Sequence, residues 1–179
     1  MALGVLAYPS IRSEDYNLIQ EFRKSNDELY FQMVEPHFAF VFPTDSFQKT
    51  TFIKEIEDKA RGFKSFNFDL KCACVNKDSF IDYFHLLLVP DQGHSQIVKL
   101  HDKLYSDLLF TELRLDIDFI PHVGIANSKD VFNIKRWADQ WNSQEFSIRG
   151  RINDLTVIDY DGNCLKDVIK IPLGVKEPQ

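Results

Sequence analysis

The chain has 179 residues, enough for one domain or two small lobes sharing a core. An apolar fraction of 44 % supports a packed interior and excludes a disordered chain. The formal net charge of −6 repels a long phosphate backbone, which argues against duplex DNA and leaves room for a small phosphorylated ligand in a locally basic pocket.

The opening "MALGVLAYPS" is a short apolar run with no basic segment before it. It is too short for a membrane span and unlike a signal peptide, so it predicts a strand over 3–8 ended by Pro9. Tyr16, Ile19, Phe22 and Arg23 recur at helical spacing within 14–26. The stretch "EPHFAFVFP" predicts a strand over 37–42 between two prolines. A helix over 46–61 carries Phe52, Ile53, Ile56 and Ala60 on one stripe. Strands follow over 66–75 and 79–89, joined by a hairpin turn at 76–78. A helix over 95–109 turns Ile97, Leu100, Leu104 and Leu108 inward. The stretch "IPHVGIANS" lies in a strand over 119–126, and a helix over 128–142 carries Phe132, Trp137 and Trp141. The last hairpin spans 148–160 and 163–172 and turns at Asp161 and Gly162, with 175–179 a loose tail.

Three cysteines, Cys72, Cys74 and Cys164, read as reduced thiols in a cytoplasmic protein rather than as a metal site. Cys72 and Cys74 sit side by side on one strand, where a bond between them would distort the backbone.

Sliding the chain against itself by 85 residues aligns Pro36 with Pro121, His37 with His122, Asp45 with Asp130, Phe47 with Phe132, and Asp69 with Asp154. The order strand–helix–strand–strand repeats without a gap. The expected fold is α+β and bilobal, with pseudo-two-fold symmetry. Two mostly antiparallel sheets flank a central cleft, with helices on their outer faces. Residues 1–174 form a single domain of two interleaved repeats.

Strand alternation assigns Phe38, Phe40 and Phe42 to the core and His37, Ala39 and Val41 to the other face. In the second repeat Val123 and Ile125 pack inward, while His122, Gly124 and Ala126 face the cleft. Each lobe thus offers one histidine with small neighbours. Two facing imidazoles with pKa near 6.5 suit acid–base displacement at phosphorus, one accepting a proton and the other protonating the leaving oxygen. No H-E-x-x-H or clustered Cys/His pattern supplies a metal site, and no cofactor is implied. His85, His94 and His101 lack repeat partners and read as incidental, and Glu35, Asp116 and Asp118 as solvated.

The paired "PHFAF" and "PHVGI" motifs, with the closing "YDGNCLKDVIKIPLG", resemble the 2H phosphoesterase superfamily over roughly residues 3–174. The nearest group is the 2′-5′ RNA ligase-like (cyclic phosphodiesterase) family. The resemblance implies metal-independent cleavage of a 2′,3′-cyclic phosphate or a 2′-5′ phosphodiester. His37 and His122 would act as general base and general acid, in either order. It also implies a small nucleotide or RNA end as partner; a monomer is expected. One departure is plain. The family motif is H-x-T/S, and here those hydroxyl positions are Ala39 and Gly124. Arg149 and Arg151 alternate on a strand and are candidate substitutes for phosphate binding beside Ala39 and Gly124. Two readings follow: an active phosphoesterase, or a catalytically impaired module that binds a nucleotide or RNA end.

Overall fold

Nearly every residue of the first strand, β1 (Ala2–Ala7), is buried, because strands pair with it on both sides. The computed structural model describes residues 2–174. In chain order β1 is followed by β2 (Ser10–Ile11), α1 (Ser13–Asn26), β3 (Phe38–Thr44), α2 (Lys49–Ala60), β4 (Phe66–Lys77) and β5 (Phe84–Gln92). Then come α3 (His94–Leu104), β6 (Val123–Ser128), α4 (Val131–Asn142), β7 (Ile148–Ile152), β8 (Asp154–Tyr160) and β9 (Leu165–Pro172). One sheet has the order β3-β1-β8-β9 and the other β2-β7-β4-β5-β6, with antiparallel pairing throughout. The fold is α+β with pseudo-two-fold symmetry, in agreement with the residue pattern.

The residue pattern predicts a single strand over 148–160. The chain instead breaks at Asn153, leaving β7 in one sheet and β8 in the other. β1 and β2 divide in the same way at Tyr8 and Pro9. Asn153 ties the two crossings together: its side-chain amide donates to Ser10 Oγ at 3.0 Å, and its carbonyl accepts from the Leu173 N–H at 2.8 Å. The sheets also exchange hairpins. β3 follows His37 in the first sheet, whereas the next hairpin in sequence, β4–β5, lies in the second. β6 follows His122 in the second sheet, and its following hairpin, β8–β9, lies in the first.

Helices α1 and α4 pack on the second sheet, α1 against β6 and α4 against β4, β5 and β6. α3 packs on β3 and β5, and α2 on α3 and β9. Phe52, Ile56, Ile97, Leu100, Leu104, Ile134 and Ala138 are their buried contributions. The Asp130 side chain accepts from the Phe132 N–H and caps α4, which begins three residues later than its apolar pattern indicates. α3 stops at Leu104, and a 3₁₀ turn over Asp107–Glu112 buries Leu109 and exposes Leu108, the residue expected inside. The β4–β5 connection is also longer than a tight turn and runs from 78 to 83.

The segment 27–36 carries the chain from α1 to β3. It is anchored by a buried ion pair, Arg23 Nε donating to Asp27 Oδ2 at 2.9 Å, with both side chains at most 3 % exposed. Arg23 also donates to the carbonyls of Tyr30 and Val34, and Asp27 accepts from the Tyr30 N–H and from Asn127 on β6. Every buried charge here has several partners, which offsets the cost of removing it from water.

Candidate active site

Both histidines precede their strands by one residue, and both strands carry the same irregularity. On β3, Ala7 pairs with Phe38 and Leu6 with Ala39, but Val5 pairs with Val41, so Phe40 is an extra residue. On β6, Leu88 pairs with Val123 and Leu87 with Gly124, but Leu86 pairs with Ala126, so Ile125 is extra. The extra residue stands three positions after the histidine in each case. A bulge of one residue reverses the alternation beyond it. Val41 and Ala126, expected on the cleft face, are therefore buried, and Phe42, expected in the core, is exposed. Ala39 and Gly124 come before the bulge and keep the cleft face. A Cβ placed on Gly124 would meet nothing within 4 Å.

The two imidazoles are held alike. His37 Nδ1 lies 2.8 Å from the Glu35 carbonyl oxygen, and His122 Nδ1 lies 2.5 Å from that of Ile120. A carbonyl only accepts, so Nδ1 carries the hydrogen and Nε2 keeps its lone pair in the neutral ring. Buried prolines, Pro36 and Pro121, stand between each histidine and that carbonyl. A residue preceding proline is confined to extended backbone, which fixes where its carbonyl points. The P-H pair seen in the sequence is thus a device for setting a tautomer.

Both rings are half-buried. Burial pushes the His37 imidazole down to about 4, with the charges on His122 and Arg23 adding to the lowering and the Glu35 carbonyl opposing it. His122 is lowered as well, mainly by burial, with the Ile120 carbonyl opposing and the charge on His85 adding. At neutral pH both rings are neutral, each with an Nε2 that has no hydrogen-bond partner among the described residues.

His85, which reads as incidental in the sequence, belongs to this region. Its register partners Asn76 and Asn127 place it on the same face of the second sheet as Gly124. His85 Nε2 lies 2.8 Å from Asp78 Oδ2, and the ring stacks on Tyr30 at 6.2 Å. Asp78 is itself held below the usual carboxylate range, against its burial, by the N–H groups of Phe80 and Ile81 and by His85. His101, by contrast, is structural, stacked on Phe119 at 3.6 Å. Replacing His85 with Asn removes a positive charge that lowers His122, so the His122 pKa should rise. Histidine NMR titration reads this directly, and an unmoved or lower His122 pKa would contradict it.

The carboxylate of Glu35 does not reach His37; it accepts from Tyr16 and Gln20. Asp116 pairs with Arg114. The Tyr8 ring meets His37 edge-on at 6.4 Å, and its hydroxyl donates to Asp167 at 3.1 Å. Next to Pro36 opens a cavity of about 520 Å³, lined by Tyr8, Tyr16, Phe31, Glu35, Pro36 and Lys170 among others; His37, His122, Ala39 and Gly124 are not in its lining. Arg149 and Arg151 are on β7. They share the face of Gly124 but are separated from it by β4 and β5, so they do not join the histidines. Cys72, Cys74 and Cys164 are free thiols. Among the described residues no three His, Cys, Asp or Glu side chains converge as a metal-ligand set, and no helix is long and apolar enough to cross a membrane.

The family model of the 2′-5′ RNA ligase superfamily matches residues 9–163. No curated protein matches. Among solved structures, E. coli LigT bound to 3′-AMP is similar over 97 % of this chain and 98 % of its own, with a TM-score of 0.56 and 10 % identity. TT0787 of Thermus thermophilus gives 99 % and 100 %, a TM-score of 0.59 and 11 % identity. Usb1 of Kluyveromyces marxianus gives 96 % and 98 %, 0.56 and 12 %.

Proposed function

The chain belongs to the 2′-5′ RNA ligase superfamily, and on that premise we propose that it is a metal-independent phosphoesterase. Its substrate is a 2′,3′-cyclic phosphate or a 2′-5′ phosphodiester of a small nucleotide or RNA end. The observation that carries this reading is the matched pair of imidazoles, each with Nδ1 bound to the carbonyl two residues back and Nε2 without a hydrogen-bond partner among the described residues.

Two neutral rings make two bases, and the reaction needs one base and one acid. The substrate supplies the difference. A phosphate anion between the rings favours protonation of one of them, opposing the desolvation that keeps both neutral. The neutral Nε2 then takes a proton from water or a ribose hydroxyl, and the protonated Nε2 gives its proton to the leaving oxygen. The cavity next to Pro36 has the size and aromatic lining that suit a nucleoside. LigT has been crystallised with 3′-AMP, ATP and phosphate, which fits a nucleotide ligand.

A second reading is favoured by Ala39 and Gly124: the cleft binds such a ligand and turns it over poorly. Phosphorus NMR of 2′,3′-cyclic nucleotides and 2′-5′ dinucleotides with the protein in EDTA separates the two. Steady turnover supports the enzyme, saturable binding without turnover supports the impaired module, and neither would sink both.

A further inference from the structure

We infer that this protein carries a second phosphate-binding site on the open face of the second sheet, so that its substrate is an oligoribonucleotide rather than a free nucleotide. The inference rests on the phosphoesterase reading above. A cavity of about 450 Å³ lies over β2 and β7 and brings together Arg12, Arg149 and Arg151 with the polar side chains of Ser10, Asn67 and Gln92. Three cations in one pocket are unusual in a chain of net charge −6.

Their partners leave charge available. Arg12 pairs bidentately with Asp15 at 2.9 and 3.1 Å, and Arg149 pairs through Nε alone with Asp69 at 3.3 Å; the two arginine side chains are 66 % and 76 % exposed. Arg151 has no carboxylate partner among the described residues. Its Nε donates to Asn153 Oδ1 at 3.0 Å, one terminal nitrogen to Asn67 Oδ1 at 2.9 Å and the other to Ser65. Neutral acceptors orient the guanidinium without cancelling its charge. Four of its five N–H groups are thereby taken, so Arg151 contributes charge and one N–H, whereas both terminal nitrogens of Arg149 have no hydrogen-bond partner among the described residues and offer the fork that matches two phosphate oxygens.

The position relates this pocket to the histidines. β7 stands three strand spacings from β6, roughly 14 Å across the sheet, and Arg149 pairs with Asp69, five residues along β4 from Cys74 in the row of Gly124, roughly 16 Å more along the strands. At its other end Ser10 pairs with Arg151 and is two residues from Tyr8, about 7 Å along an extended chain. The Tyr8 ring contacts His37. The pocket is too far away to hold the phosphate lying between the histidines and close enough to hold another phosphate of the same strand.

The test compares calorimetric binding of a 3′-phosphorylated tetraribonucleotide and a nucleoside 3′-monophosphate to the full chain. The variants are Arg151→Ala and, because the Arg149 side chain is 76 % exposed, Arg149→Ala. The tetranucleotide should bind at least about tenfold tighter than the monophosphate. Arg151→Ala should remove most of that advantage, leave the monophosphate affinity within about twofold, and reduce the salt slope for the tetranucleotide by about one. Arg149→Ala should act in the same direction. Equal affinity for the two lengths, or equal weakening of both ligands, would overturn the site. The proposed function fails separately. A length advantage lost in Arg151→Ala but without turnover keeps this site and removes the enzyme. Turnover of a cyclic mononucleotide without any length advantage does the reverse.

Discussion

Restoring both missing hydroxyls, as Ala39→Thr with Gly124→Thr, should raise kcat/KM on a 2′,3′-cyclic nucleotide by about 10²- to 10⁴-fold. A hydrogen bond to a charged group contributes about 1.5–3 kcal/mol, and two of them together span that range. The fold should accept the change. Gly124 has open space where its Cβ would be, and its backbone is not in the left-handed region, so a side chain can start there without a Cβ clash or backbone strain. Ala39 is half-buried on an edge strand, and β-branched residues suit strands. Both positions precede their bulges, so both hydroxyls would project from the same faces as the histidines. The two single variants should each give a partial gain. A double variant that folds, binds and gains nothing would show that the hydroxyls are not what limits this site.

The opposite experiment is removal of the histidines. His37→Ala and His122→Ala should each lower kcat by about 10²- to 10⁴-fold, the ordinary contribution of a positioned acid or base. The double variant should cost little more than the worse single, because the two rings act on one proton-transfer sequence. Loss of fold is not the expected cause, and pH gives the control. With a folded pKa near 4 against 6.5 for a free imidazole, the unfolded chain takes up a proton at His37 before the folded one does. Stability therefore falls as pH drops from about 6.5 to about 4. His37→Ala should fall less steeply over that window, read by denaturant midpoints at several pH values. A variant that keeps near-normal kcat would remove that histidine from the mechanism.

Much of this site was legible because it rests on local chemistry. His37, His122, their prolines and the small residues two positions on are all visible in the sequence, and the 85-residue offset relates them. The bulges were not visible. Alternation alone sends Phe42 inward, and only the pairing of β3 with β1 shows that Phe40 is an extra residue. The break at Asn153 was hidden for a similar reason, since the run 148–160 has strand character on both sides of it and no glycine or proline marks the crossing. His85 was missed because it has no repeat partner; its position depends on the pairing of β5 with β6. Arg149 and Arg151 did alternate on a strand as read, but which strand lies beside them is a long-range fact.

The exchange of hairpins between the two sheets also has a consequence for the order in which this protein can be made. β1 is the first strand, and one of its two partners is β8, the last strand but one. Until residues 154–160 have been synthesised, β1 and β3 are without the hairpin that completes their sheet. His37 emerges early but waits for β8 and β9 to leave the ribosome. Such long-range pairing folds slowly and leaves an apolar strand edge open in the interval. This is a demand on the cell's chaperones that a protein of two self-contained lobes would not make.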